Sequence, residues 1–192
     1  MSGKYIVRQP IKDAEGNTIG HEILYHGANQ AFSSDNSTSS AEFAAANTIY
    51  SFLTQNSPKV LKGTLNFMTF TTMLLMKKTP RLFDKSDLVI QIDDAVIIHP
   101  LSMHLVQQYV REGYRVAVND FQFTPRYLAL LDDIHFIKIS ARTATEVTVR
   151  NTVEVAHSMN IKCIVTHIED AQTYERAVAL GADGVEGPYV AG

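Results

Sequence analysis

The chain has a single cysteine, Cys163, inside the apolar run IKCIVTHI. One thiol excludes an intrachain disulfide and a cysteine-based zinc site, and leaves Cys163 as a small core residue in a reducing compartment. An excess of one charge is also lacking. Seventeen Lys and Arg stand against 20 Asp and Glu, a net −3 with the two signs mixed along the sequence. No basic stripe exists to neutralise a phosphate backbone, so no nucleic acid polymer is expected as a partner. No apolar run approaches the ~18 residues of a membrane helix, and MSGKYIVRQP lacks a signal-peptide core. No membrane association and a cytoplasmic location follow as expectations. Glycine-rich phosphate turns of the G-x-G-x-x-G or P-loop type are absent, and no nucleophile elbow with a base partner supports a serine or cysteine nucleophile.

What is present suits one folded unit. At 192 residues and 45% hydrophobic content the chain can bury the core of a single domain but not of two with a linker. Short runs rich in β-branched and aromatic residues recur at Lys4 to Pro10, Ile19 to His26, Thr64 to Phe70, Leu88 to Ile92, Arg115 to Asn119, Phe136 to Ile139, Cys163 to Ile168 and around Val185. From the third onward, helical patterns separate them. Ser39 and Glu42 form a capping box before AEFAAANTIYSFL, and Pro100 opens a helix that Gly113 closes. Further helices fit Pro125 to Leu131, Thr143 to Met159 and Asp170 to Leu180, the last stopped by Gly181. The segment from Gly27 to Ser40 reads as a polar loop.

Eight strands with helices between the later ones predict an α/β fold of the TIM-type (β/α)8 class over residues 1–192. The connection IKDAEGNT is too short for a parallel crossover, so the first strand should run antiparallel to the second. An open doubly wound sheet ranks second, because it would normally carry a glycine-rich phosphate turn.

In such a barrel the carboxyl ends of the strands converge on one mouth. Polar residues at or near strand ends are Glu22, Asn66, Gln91, Asn119, Asp120, Lys138, Thr166, Glu169 and Glu186. Each alone reads as a surface charge or a satisfied core polar group. Together they form an oxygen-rich set of the kind that suits Mg²⁺ or Mn²⁺. The histidine pairs His21 with His26 and His99 with His104 are five apart, which matches neither a helix-face nor a strand-face ligand pair.

The order and spacing of these strand ends resemble the EAL domain, the family of cyclic di-GMP phosphodiesterases. Glu22-Ile23-Leu24 stands for Glu-Ala-Leu, LNFMTF resembles the asparagine strand, QIDD the E-x-T-E strand, and VNDFQF the D-D-F-G strand. FIKIS resembles the K-I-D strand, and VTHIEDAQTYERAVALGADGVEGPYV the closing A-E-G-V-E segment with its Q-G-Y turn. The resemblance implies a barrel with an antiparallel first strand, and two divalent cations that cleave one phosphodiester of a cyclic dinucleotide.

On that alignment Glu22, Asn66 and Asp120 are retained metal positions, whereas Gln91 and Asn119 replace acids. Lys138, Thr166 and Glu169 are remnants of the catalytic set, with Thr166 replacing a glutamate. Glu22, Leu24 and Glu186 fall at nucleotide-binding positions, Glu186 replacing a glutamine, and His26 stands where the family has an arginine. The family's five ligand positions carry four negative charges; Glu22, Asn66, Gln91, Asn119 and Asp120 carry two. A carboxamide donates an oxygen but cannot offset the charge of a divalent ion as a carboxylate does.

The resemblance therefore implies a catalytically inactive signalling or protein-interaction module. No cofactor is expected, and Mg²⁺ or Mn²⁺ would be needed only for residual activity. Cyclic di-GMP binding is expected to be weak or absent. The alternatives are a weak cyclic di-GMP phosphodiesterase or a non-hydrolysing cyclic di-GMP receptor. The opening KYIVRQPI is most similar to barrels that precede an HDOD domain. This implies an HDOD domain or another protein as partner, a homodimer as a further option, and a barrel that is stand-alone or the amino-terminal part of a longer chain.

Overall fold

The computed structural model describes residues 5–26, 50, 53–55 and 63–192. The capping box at Ser39 and Glu42 and the polar segment 27–40 lie outside the described residues, as does most of the helix expected over 41–53.

Strands β1 (Tyr5–Lys12) and β2 (Thr18–His26) form the predicted hairpin. Its turn is organised by one carboxylate. Asp13 Oδ1 accepts from the backbone N–H groups of Glu15 and Asn17 at 3.1 and 2.8 Å, and Gly16 takes the left-handed conformation that the turn requires. The remaining strands are parallel: β3 (Asn66–Thr69), β4 (Leu88–Ile92), β5 (Arg115–Val118), β6 (Phe136–Ser140), β7 (Lys162–Thr166) and β8 (Gly184–Glu186). They pair in sequence order, and β8 returns to β1 in an antiparallel register with Ile11 opposite Glu186. The sheet is thus a closed eight-stranded barrel whose first strand is antiparallel to both neighbours.

Around it run α1 (Thr72–Met76), a 3₁₀ turn (Thr79–Leu82), α2 (Asp94–Ile97), α3 (Pro100–Glu112), α4 (Pro125–Leu128), α5 (Glu146–Ser158), α6 (Ala171–Ala179) and α7 (Pro188–Ala191). The predicted ends of α3 and α6 hold: Gly113 closes α3 at φ 102°, and Asp170 caps α6 by accepting from Thr173 N at 2.7 Å. Two helices are shorter than their patterns. α4 stops at Leu128 because the following turns tuck Leu130, Leu131 and Ile134 into the core. α5 starts three residues late because Thr145 Oγ1 accepts from Thr148 N, which makes Thr145 the cap and not a helical residue. Among the described residues no helix is long and apolar enough to cross a membrane.

The core has two compartments. A large one fills the space between sheet and helices, and a small one inside the barrel comprises Ile11, Phe67, Val89, Ala117, Phe136 and Ile164. Phe67 and Phe136 meet edge to face at 4.9 Å. Glycine makes their packing possible. A Cβ on Gly20 would lie 3.1 Å from the Phe67 ring, and one on Gly184 would lie 3.2 Å from both Ile11 and Ile164.

Candidate functional site

Strand parity builds the site directly above that inner layer. Side chains alternate across a strand, so a residue two positions beyond an inward apolar side chain also points inward, one level higher. Phe67 leads to Thr69, Val89 to Gln91, Ala117 to Asn119, Phe136 to Lys138, Ile164 to Thr166, Gly184 to Glu186 and Gly20 to Glu22. One level of the barrel is hydrocarbon and the next is polar.

Glu22, Gln91, Lys138 and Glu186 are held together there. Lys138 Nζ lies 2.9 Å from Glu186 Oε2 and 3.8 Å from Glu22 Oε2, and 5.0 Å from the centre of the Phe67 ring below it. Gln91 Nε2 donates to Glu22 Oε1 at 2.9 Å and to Thr69 Oγ1 at 3.0 Å. Lys138, Gln91 and Glu186 are buried, so the ionic groups are screened little by solvent. Burial first, then a proton shared with Glu22, pushes the Glu186 carboxyl up to about 8. Burial also opposes charge on Glu22. There the hydrogen bond with Glu186, the Lys138 ammonium and Gln91 outweigh it, and hold the Glu22 carboxyl below its usual range. The pair therefore carries one proton, and the Lys138 charge balances the carboxylate that remains.

Above this cluster opens a cleft of about 380 Å³ lined by Gln9, Glu22, Leu24, Asn119, Asp120, Arg142, Thr166, His167, Glu186, Gly187 and Pro188. His167 has φ 60°, and its Nδ1 lies 2.8 Å from Ser140 Oγ and 3.1 Å from Thr166 Oγ1. That conformation is what ends β7 at Thr166, short of the Ile168 expected from the apolar run. Gly187 keeps the far wall closed. A Cβ there would lie 2.3 Å from Ile168 N, in a loop fixed by the bonds Ile168 N to Glu186 O and Tyr189 N to Ile168 O, each 3.0 Å.

Of the residues singled out in the sequence, Glu22, Leu24, Asn119, Asp120, Thr166 and Glu186 line the cleft, and Gln91 and Lys138 lie in the buried cluster with Glu22. Two do not join them. Asn66 is the first residue of β3 and has the outward parity of Met68. Its Nδ2 is bound to the carbonyls of Thr64 and Asp87 at 2.8 and 3.1 Å, near the amino end of the barrel. The polar group that β3 delivers to the mouth is Thr69, three residues on. Glu169 is half-exposed and paired with Arg142, whose Nε lies 2.6 Å from Glu169 Oε1. The His26 side chain lies outside the described residues.

Sequence reading missed Thr69, Ser140, Arg142 and His167. The alternation in LNFMTF, counted from Phe67 and not from the asparagine, would have found Thr69. Ser140 and His167 stand inside the motifs FIKIS and VTHIED, beside Lys138 and Thr166.

Comparison with known proteins places this geometry in a family. The EAL domain is matched over residues 68–192. The uncharacterized protein YuxH of Bacillus subtilis is 26% identical over 193 residues, spanning 96% of this chain and 46% of its own length. The cyclic di-GMP phosphodiesterase CdgJ of Vibrio cholerae is 24% identical over 140 residues, 72% of this chain and 32% of its own. The chain thus spans less than half the length of these curated relatives. Two solved structures share the fold. The PaMucR phosphodiesterase in complex with c-di-GMP has a TM-score of 0.77 at 16% identity, covering 98% of this chain and 95% of its own. The Bacillus subtilis YkuI protein, with an EAL domain and in complex with substrate c-di-GMP and calcium, has 0.76 at 17% identity, covering 96% and 54%. The matched span runs from the second half of β3 through β8 and carries most of the polar level of the barrel, so the chain belongs to the EAL domain family.

Proposed function

We propose that this EAL barrel is a catalytically silent module of cyclic di-GMP signalling that works through a protein partner. One observation carries the reading: Glu22 Oε1 accepts a hydrogen bond from Gln91 Nε2 at 2.9 Å, and its Oε2 faces the Lys138 ammonium as an ion pair at 3.8 Å. A divalent cation needs lone pairs directed at it, whereas an amide N–H and an ammonium present hydrogens. Lys138 already supplies the positive charge that a metal would otherwise bring to the Glu22–Glu186 pair. Among the described residues no three His, Cys, Asp or Glu side chains converge closely enough to hold a metal ion. The donor chemistry thus does not fit the divalent pair of an EAL phosphodiesterase, and Thr166 offers a hydroxyl where a proton-accepting carboxylate would be required.

The signalling context comes from the relatives, which include a cyclic di-GMP phosphodiesterase and structures bound to c-di-GMP. The partner, whether an HDOD domain or a separate protein, and a cytoplasmic setting belong to the same reading. A second reading, a receptor that binds the dinucleotide without cleaving it, is favoured by the open cleft and by the Arg142 and His167 side chains on its wall.

Hydrolysis and binding assays separate these. Purified protein with Mg²⁺ or Mn²⁺ should leave cyclic di-GMP intact, and calorimetric titration with and without metal should show no micromolar binding. Turnover at a rate ordinary for an EAL phosphodiesterase would sink the silent reading, while micromolar binding without turnover would select the receptor.

A further inference from the structure

The opposite end of the barrel carries a feature that the mouth does not use. A groove of about 600 Å³ lies where the amino ends of β5, β6 and β7 emerge, and Arg115, His135 and Lys162 stand on its wall. Its apolar surface comes from Leu65, Phe136 and Ile161, so cations and hydrocarbon share one concavity.

The cations there lack acidic partners. Arg115 donates to the Ser86 carbonyl at 3.4 Å, a neutral acceptor, and no ion pair is found for Arg115 or Lys162 among the described residues. Asp183, the single carboxylate on the groove wall among the described residues, is engaged through Oδ2 by His157 Nε2 at 2.7 Å and by Cys163 N at 2.8 Å. His135 Nδ1 accepts from Val116 N at 3.1 Å, which fixes the neutral ring's hydrogen on Nε2 and makes that atom a donor. Burial, and then the Arg115 guanidinium on the same wall, hold the His135 pKa below its ordinary value. Cations that line one groove without a paired carboxylate raise the local concentration of anions.

We infer that this groove is a second ligand site, for an organic phosphate: the phosphoryl group on Arg115, His135 and Lys162, and the organic body on Leu65, Phe136 and Ile161. A guanidinium presents paired N–H groups that match phosphoryl oxygens, an ammonium adds a point charge, and a neutral imidazole N–H adds a directed donor. The site lies at the amino end of the strands, away from the mouth, so occupancy of one end does not obstruct the other.

The test is titration of phenyl phosphate and, separately, inorganic phosphate into the isotopically labelled 192-residue chain, read by the imidazole resonances of His135 and His167. Phenyl phosphate should move His135 saturably and leave His167 in place, with inorganic phosphate binding more weakly. Lys162→Ala and Arg115→Ala should each weaken binding by about fivefold or more, since each removes a charge-assisted contact. Lys162 is exposed, so its variant tests the site without threatening the fold. Three outcomes overturn the assignment: no saturable shift at His135, affinity indifferent to both substitutions, or a shift at His167 instead. Equal affinity for the two phosphates overturns the organic body's place on the apolar surface.

Discussion

Lys138 and Glu186 face each other across the inside of the barrel with Nζ and Oε2 2.9 Å apart, both almost wholly buried, and Glu22 completes the group from β2. The contact exists because β6 and β8 each place a polar side chain two residues above an inner-layer residue, on the same level. Glu186 is thus a second carboxyl beside Glu22 that shares its proton, and the consequences are measurable.

Replacing Glu186 should change how stability depends on pH. Its pKa is raised from 4.5 to about 8 in the folded protein, so between these values the folded state holds more protons than the unfolded one. Stability contributed by this group is therefore complete below about pH 4.5, falls as pH rises, and levels off above 8. Glu22, held below its usual value, acts in the opposite sense and loses its contribution only as pH falls below that of an ordinary glutamate. Glu186→Gln mimics the protonated acid. Its Tm should stay nearly level from pH 5.5 to 8.5, where the parent's falls on the order of 5 °C. Parallel Tm curves for the two proteins would contradict the shared proton.

Removing the cation should cost far more than removing a surface charge. Lys138→Met leaves a buried carboxylate without its counter-ion, a change that typically costs about 3–5 kcal/mol. A Tm lower by roughly 10 °C is expected for a chain of this size. In the double variant Lys138→Met/Glu186→Gln the loss should be smaller than the sum of the single losses, because the second change removes one of the stranded carboxyls. Strict additivity in a thermal-denaturation cycle would mean that the two side chains do not interact.

Gly187 should tolerate no side chain. An added Cβ would meet the Ile168 backbone at 2.3 and 2.4 Å, and φ of 153° is itself unfavourable for an L-residue. Gly187→Ala should lower stability by about 3 kcal/mol or more, read as a reduced urea midpoint with an unchanged slope. A midpoint equal to the parent's would show that this loop has room to shift.

If the proposed silent reading holds, placing acids at Gln91, Asn119 and Thr166 should create metal affinity. The variant Gln91→Glu/Asn119→Asp/Thr166→Glu turns a hydrogen-bond donor to Glu22 into a further carboxylate and adds two more facing the mouth. Mn²⁺ titration followed by calorimetry should show binding in the variant and none in the parent at the same concentrations. Equal Mn²⁺ binding by the parent would undo the argument that Gln91 and Lys138 occupy Glu22.

Much of this was legible in the chain. The strand rhythm, the short hairpin connection and the glycine stops are local or periodic signals, and each reached the structure with its ends moved by only a few residues. The short helices α1, α2 and α7 escaped notice because elements of four or five residues carry no periodicity. Asn66 sits away from the mouth because its parity along β3 is that of Met68 and not of Phe67. An asparagine looks like a ligand wherever it stands, but inward facing is decided by counting from Phe67.

The sequence by itself determined the succession of strands and helices, the short hairpin connection and the polar residues at the strand ends. It could not tell what those polar residues would touch. Glu22 and Lys138 are separated by more than a hundred residues, and their meeting depends on barrel closure and on the stagger between strands. Only the tertiary structure decided that Lys138 would reach both carboxyls, that Gln91 would turn its N–H toward Glu22, and that Glu186 would be dry enough to keep its proton. Residue types set which charges are available, and burial and distance set which of them survive.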